Sequence, residues 1–282
     1  MGRDSSSVHF NEVTRSWFAN AFAEPTAAQQ LAWPPICAGD STVLLAPTGS
    51  GKTLAAFLSA VDRLMFAPPP TEPGVRVVYV SPLKALAVDV ERNLRSPLIG
   101  ITALAASRGV SHRVPTVAIR TGDTPQRERA RMMRTPPDIL ITTPESLYLM
   151  ATSKAREMFR GTEAVIIDEV HTMVNSKRGV HLMLTLERIE ALRTGDARLQ
   201  RIGLSATQRP LDEVARFLGG FEAGESGLKA RPVTIVDAGE RKALQLSVEM
   251  PVEEVIEQDE DDLDYGVSSD GTVRSSWAYL TP

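Results

Sequence analysis

The sequence predicts an α/β fold built on a mainly parallel sheet with helices on both faces, and three observations carry that prediction. Short β-branched runs recur at 42–46, 76–80, 116–120, 138–142, 164–167 and 201–204, each about the length of a strand. Amphipathic or alanine-rich segments at 53–65, 83–94, 126–133, 146–151 and 181–192 have the apolar spacing of helices. The two kinds alternate, which calls for right-handed crossovers between parallel strands and for helices over both sheet faces.

Ahead of the first strand, Trp17, Phe18 and Phe22 stand at helical spacing and predict a packed N-terminal helix face rather than a base-stacking site. Pro68-Pro69-Pro70 and Thr71-Glu72-Pro73-Gly74 predict a stiff surface connection, because proline neither continues a helix nor donates to a ladder. The stretch 96–115 admits another helix that the pattern does not place. After about Val236 the pattern changes: 244–252 reads as one more strand, and 252–264 holds acidic residues with no Lys or Arg. The expected division is therefore a domain at 1–235 and a segment at 236–282, read as a strand plus acidic linker or the start of a second domain.

At 282 residues, 43% hydrophobic and 23% charged, the chain can bury one large core or two modest ones. Its longest apolar stretches, such as 54–58, fall far short of the roughly 20 residues a membrane-spanning helix needs. The N-terminal Met1-Gly2-Arg3-Asp4 has no apolar signal core, so the expected location is cytoplasmic with no membrane partner. One cysteine, Cys37, excludes an internal disulfide and a cysteine-rich zinc site. Set apart from the acidic run, the body is mildly basic, which is compatible with phosphate-backbone binding without requiring it.

The strongest local signal is Ala46-Pro47-Thr48-Gly49-Ser50-Gly51-Lys52-Thr53, which follows a strand and opens a helix. Glycines at 49 and 51 let the backbone curl so that N–H groups from Thr48 to Thr53 point at phosphate oxygens, and the helix N-terminus adds partial positive charge. Lys52 would reach the β- and γ-phosphates of ATP, and the Thr53 hydroxyl would bind Mg2+, a hard cation that prefers oxygen.

The run 164–167 ends in Asp168-Glu169-Val170-His171, so a buried strand delivers two carboxylates to its C-terminal edge, where ligands bind in open α/β sheets. In that setting Asp168 would hold Mg2+ through water and Glu169 would orient and deprotonate the water that attacks the γ-phosphate. Adjacent acids at a strand end also cap helices, and the phosphate loop is what favours the catalytic reading. His171 either couples the γ-phosphate to a second site or caps a polar network.

With these two motifs in place, the ordered set resembles superfamily 2 helicases of the DExH kind. Pro25-Thr26-Ala27-Ala28-Gln29 resembles the adenine-reading Q motif, with the Gln29 amide able to donate to and accept from a base edge. Ser81-Pro82-Leu83-Lys84-Ala85-Leu86, Thr121-Gly122-Asp123 and Thr143-Pro144-Glu145-Ser146 resemble strand-binding motifs, and Ser205-Ala206-Thr207 resembles the coupling motif. The Asp-Glu-Val-His box and Lys177-Arg178-Gly179-Val180-His181-Leu182 are similar to the large helicase-related (Lhr-type) subgroup of bacteria.

The resemblance implies a RecA-like nucleotide-binding fold and ATP-driven, 3′-to-5′ movement on single-stranded DNA or RNA. It also implies backbone contacts from Lys84, Thr121, Gly122 and Thr143, and coupling through His171, Ser205 and Thr207. Each backbone-contact candidate serves equally well as a turn residue or helix cap, and Thr143 before Pro144 is a good helix start. A helicase motor also needs a second RecA-like domain, for which this sequence shows no second set of motifs. The expectation is thus an incomplete motor, with a non-catalytic nucleotide- and nucleic-acid-binding module as the alternative. A small-molecule kinase is a weaker third reading.

Overall fold

A computed structural model describes residues 10–194, 197–206, 210–224 and 227–239. The helices are α1 (Glu12–Ala21), α2 (Ala27–Ala38), α3 (Lys52–Phe66), α4 (Lys84–Ser107), α5 (Gln126–Arg134), α6 (Pro144–Ala151), α7 (Lys177–Leu192) and α8 (Leu211–Gly219). The strands are β1 (Thr42–Leu45), β2 (Val77–Val80), β3 (Val117–Arg120), β4 (Ile139–Thr142), β5 (Ala164–Ile167), β6 (Gln200–Ser205), β7 (Phe221–Gly224), β8 (Gly227–Ala230) and β9 (Thr234–Asp237). Among the described residues, seven strands form one sheet in the order β3-β4-β2-β5-β6-β1-β9. Every neighbouring pair in it is parallel, and β7 pairs antiparallel with β8 apart from the sheet.

Alternation along each strand builds two cores. Leu44, Val77, Tyr79, Ile139, Ile141 and Ile166 face one layer with Phe57, Trp33 and Ile101, while Val43, Leu45, Val78, Val80, Leu140, Val165 and Ile167 face the other with Leu147, Leu182 and Leu186. The central strands β1, β2, β4 and β5 are buried on both faces, as parallel strands under helices must be.

The N-terminal aromatics pack together, with Phe18 and Trp33 edge to face at 5.2 Å and Trp17 partly buried, but Phe22 ends α1 and stands exposed. The stretch left unplaced in the sequence is largely α4, which runs through Pro97 to Ser107. Proline costs this helix one backbone hydrogen bond, yet the stripe Ala87, Val90, Leu94, Leu98, Ile101 and Ala105 keeps its spacing across Pro97 and stays buried. Burial on both sides of the break therefore outweighs the lost bond.

Strand β9 was not foreseen. It pairs with β1 in the register Leu44↔Val236 and straddles the division expected at 235/236, so the sheet continues to Asp237. The expected strand at 244–252, the acidic run at 252–264 and Thr207 lie outside the described residues. Among the described residues no helix is long and apolar enough to cross a membrane, and Cys37 is a free thiol against the core.

Candidate nucleotide site at the C-terminal edge of the sheet

The phosphate loop leaves β1 and ends where α3 begins. Gly49 and Gly51 hold φ of 78° and 79°, a left-handed conformation that glycine adopts without a Cβ penalty. No side chain caps the start of α3 at Gly51, so its first N–H groups remain available. Lys52 is buried and its Nζ donates to the carbonyl oxygens of Ala46 at 2.5 Å and Pro47 at 2.8 Å. An ammonium has three donors, so one is left for an anion. Burial pushes the Lys52 pKa down, and the charges of Glu169 and Asp168 partly offset this. Ser50 Oγ is buried without a protein partner, which leaves a polar atom of the loop unused.

The Q-motif segment is fastened to this loop. Thr26 Oγ1 donates to the Ser50 carbonyl at 2.7 Å and accepts from Gln29 N, while Gln29 Oε1 accepts from Thr26 N at 3.0 Å. The two residues thus form a capping box at the start of α2. Gln29 is buried, and a Cβ placed on Gly51 would lie 2.6 Å from its Nε2. The amide that the sequence assigned to base reading has its oxygen committed to the helix cap and its nitrogen packed against the loop.

Across the sheet, Asp168 and Glu169 follow β5. Asp168 Oδ1 accepts from Glu169 N at 3.0 Å and Oδ2 accepts from the Tyr79 hydroxyl at 2.6 Å. Glu169 has φ of 46°, a left-handed conformation that is strained for a residue with a Cβ and is often found at working sites. Its carboxylate lies 3.3 Å from His171 Nδ1, which is also 3.1 Å from Ser205 Oγ at the end of β6. Ser205 Oγ donates to the Ala206 carbonyl at 2.7 Å, so the network assigns the His171 proton to Nδ1, shared between Glu169 and Ser205. Strands β5, β6 and β1 are neighbours, and this register gathers the acidic box, Ser205 and the phosphate loop on one edge. Among the described residues no three His, Cys, Asp or Glu form a metal-binding cluster. A divalent cation here would take a carboxylate and a hydroxyl from the chain and its remaining oxygens from phosphate and water, the donor set that suits Mg2+.

Two of the strand-contact candidates come together and two do not. Lys84 Nζ contacts both oxygens of Asp123 at 2.8 Å and sits 3.5 Å from where a Gly122 Cβ would be. Thr121 is buried, its hydroxyl accepting from Asp123 N within its own turn. Thr143 is buried as the N-cap of α6, accepting from Ser146 N, which is the helix-start role the sequence also allowed.

The sequence reading missed the groups that hold these loops. Arg129 donates to the carbonyls of Thr124 at 2.7 Å and Gly122 at 2.7 Å. Arg178 donates to Glu145 at 2.5 Å and 3.1 Å and to the Pro82 carbonyl at 2.8 Å, tying two candidate strand-binding loops to α7. Hydrogen bonding from Arg178 holds the Glu145 carboxyl below the usual carboxylate range. Tyr79 is likewise invisible from spacing, since only the pairing of β2 with β5 brings it to Asp168. Burial and the Asp168 charge push its phenol pKa well up, so it remains a donor.

A parallel sheet with a phosphate loop after β1 and an acidic box after β5 defines a RecA-like nucleotide-binding domain. The DEAD/DEAH box helicase family model matches residues 26–215, and the chain belongs to that family. It is 54% identical over 252 residues to the Lhr helicase/probable uracil glycosylase of Mycolicibacterium smegmatis, covering 89% of this chain and 16% of that protein. It is 47% identical over 285 residues to the Lhr helicase/uracil glycosylase of Escherichia coli, covering 96% and 17%. The structure of Mycobacterium smegmatis helicase Lhr bound to ssDNA and AMP-PNP matches with a TM-score of 0.75 at 53% identity, over 83% of this chain and 28% of that one. The chain thus spans about a sixth of the length of these two sequence relatives.

Proposed function

We propose that this chain is the ATP-binding first motor domain of an Lhr-type helicase or translocase that moves 3′ to 5′ on single-stranded DNA or RNA. The observation that carries the reading is the gathering of phosphate loop, acidic box and Ser205 on the adjoining ends of β1, β5 and β6. The solved Lhr relative, which is bound to ssDNA and AMP-PNP, supports both ligands for this chain.

In this reading the backbone of Thr48, Gly49, Ser50 and Gly51 cradles the phosphates, and Lys52 turns its remaining donor to the β- and γ-oxygens. Thr53 and Asp168 hold Mg2+, which when bound neutralises charge on the transferring phosphoryl group. Glu169 takes the proton of the attacking water, and its contact with the His171–Ser205 pair links that step to the sheet edge facing the partner domain. Gln29 braces the loop through its cap and its packing on Gly51, beside any contact it makes with adenine. Lys84 and Gly122 supply the exposed strand-facing surface, with Thr121 and Thr143 contributing through the turns they stabilise. Completion of the motor by a second RecA-like domain, and placement in the cytoplasm, belong to the same proposal.

The test is ATP hydrolysis by this chain with and without single-stranded DNA or RNA, beside Glu169→Gln. The expected result is Mg2+-dependent ATP binding with weak hydrolysis that Glu169→Gln removes while binding survives. A folded chain that binds no nucleotide would refute the reading, and so would hydrolysis indifferent to the substitution.

A further inference from the structure

One side chain outside every motif touches the centre of this site. Tyr79 lies on β2 opposite Ile166 of β5, and side chains two apart on a strand share a face, so Asp168 emerges directly beyond it. The phenol donates to Asp168 Oδ2 at 2.6 Å. Its ring stacks on Phe57 at 5.0 Å and 19°. Phe57 stands one helical turn after Thr53 on α3, so the two share a helix face. The phenol proton occupies a lone pair of Asp168 Oδ2 and fixes the carboxylate plane, while the ring packs on the helix that opens with the phosphate loop.

We propose that Tyr79 is a positioning residue that sets the Asp168 carboxylate, through one buried phenol, in the arrangement a divalent cation requires. The inference rests on the nucleotide-site reading above, and it adds a group that holds the cation-binding carboxylate from behind. Partners of this kind typically contribute tenfold or more to metal affinity because they remove rotational freedom from the ligands. The ring anchors the hydroxyl: with Tyr79 fully buried against Phe57, the oxygen has little room to move.

Tyr79→Phe tests this, since it keeps the stacked ring and deletes only the hydroxyl. The readout is the affinity of the chain for a fluorescent ATP analogue, measured in EDTA and across a MgCl2 titration. The gain in affinity that Mg2+ confers is expected to fall roughly tenfold in Tyr79→Phe, with the half-point of the titration moving to correspondingly higher Mg2+. Asp168→Asn combined with Tyr79→Phe is expected to lose no more of that gain than Asp168→Asn alone, because both act on one cation. Thermal unfolding followed by circular dichroism confirms that each variant is folded. A folded Tyr79→Phe with the wild-type Mg2+ half-point would overturn the proposal, as would additive losses in the double variant. A folded wild-type chain that binds no analogue, with or without Mg2+, would instead remove the nucleotide-site reading itself.

Discussion

Alanine at Gly51 and at Gly49 should cost different amounts, although the two positions look alike in the motif. Both residues are left-handed, at φ of 79° and 78°, so each substitution carries the backbone penalty of about 1 kcal/mol for a Cβ in that region. At Gly49 nothing lies within 4 Å of the added methyl, and the penalty stops there. At Gly51 the methyl would lie 2.6 Å from Gln29 Nε2 and 3.3 Å from Gln29 Cδ. The amide cannot simply swing aside, because Oε1 is bonded to Thr26 N in the capping box of α2. Moving it forfeits the Gln29 half of the capping box, one hydrogen bond worth about 1 kcal/mol. Gly51→Ala should therefore lose about 2 kcal/mol against about 1 for Gly49→Ala, read as the shift in urea midpoint at constant slope. The difference corresponds to roughly 2–4 °C in Tm for a domain of this size. In a Gln29→Ala background the extra loss at Gly51 should vanish, because the space is then open. Equal losses at the two glycines, or a Gly51 penalty that survives removal of Gln29, would refute the packing of the Q-motif glutamine on the phosphate loop.

Two further perturbations probe the supports of the domain. Arg201 is fully buried and its guanidinium serves Glu187, Glu190 and the carbonyls of Leu218 and Gly219. Arg201→Ala leaves Glu187 and the Gly219 carbonyl to Arg231 and removes the Leu218 carbonyl's donor from the core, and it should cost about 3 kcal/mol in urea unfolding; a loss under about 1 kcal/mol would show that the network carries little. Arg178→Ala and Arg178→Lys should both weaken binding of a single-stranded oligonucleotide several-fold, because neither keeps the fork that joins Glu145 to the Pro82 carbonyl; full retention by lysine would point to charge alone. The pH dependence has a definite sign, since Glu145 has a folded pKa below its unfolded value. Its ion pair stabilises the chain above the unfolded pKa and is lost as pH falls through the folded one, so the fall in stability between about pH 5 and 3 should be shallower in Arg178→Ala. The effect is small, because the Glu145 side chain is 59% exposed. An identical acid slope in the variant would argue against the pair.

What the sequence determined by itself is whatever contiguous residues encode. A short strand, the turn of Gly49 and Gly51, a helix opening directly after that turn, one residue earlier than the expected 53, and the adjacency of Asp168 and Glu169 each follow from local spacing and backbone preference. Helix α4 escaped because Pro97 is a local stop signal that long-range burial overrode, and β9 escaped because a short, partly exposed edge strand has little periodicity of its own.

The tertiary structure decided everything that depends on register. Tyr79 meets Asp168 across 89 positions, His171 meets Ser205 across 34, and Arg178 meets Pro82 across 96, and none of these pairs has a signature in spacing. The order β2-β5-β6-β1 makes the contacts, since it aligns strand ends that are distant in the chain. The same packing gave Gln29 and Thr143 structural duties alongside those their motifs suggested, because a buried polar group must find a partner wherever the fold supplies one.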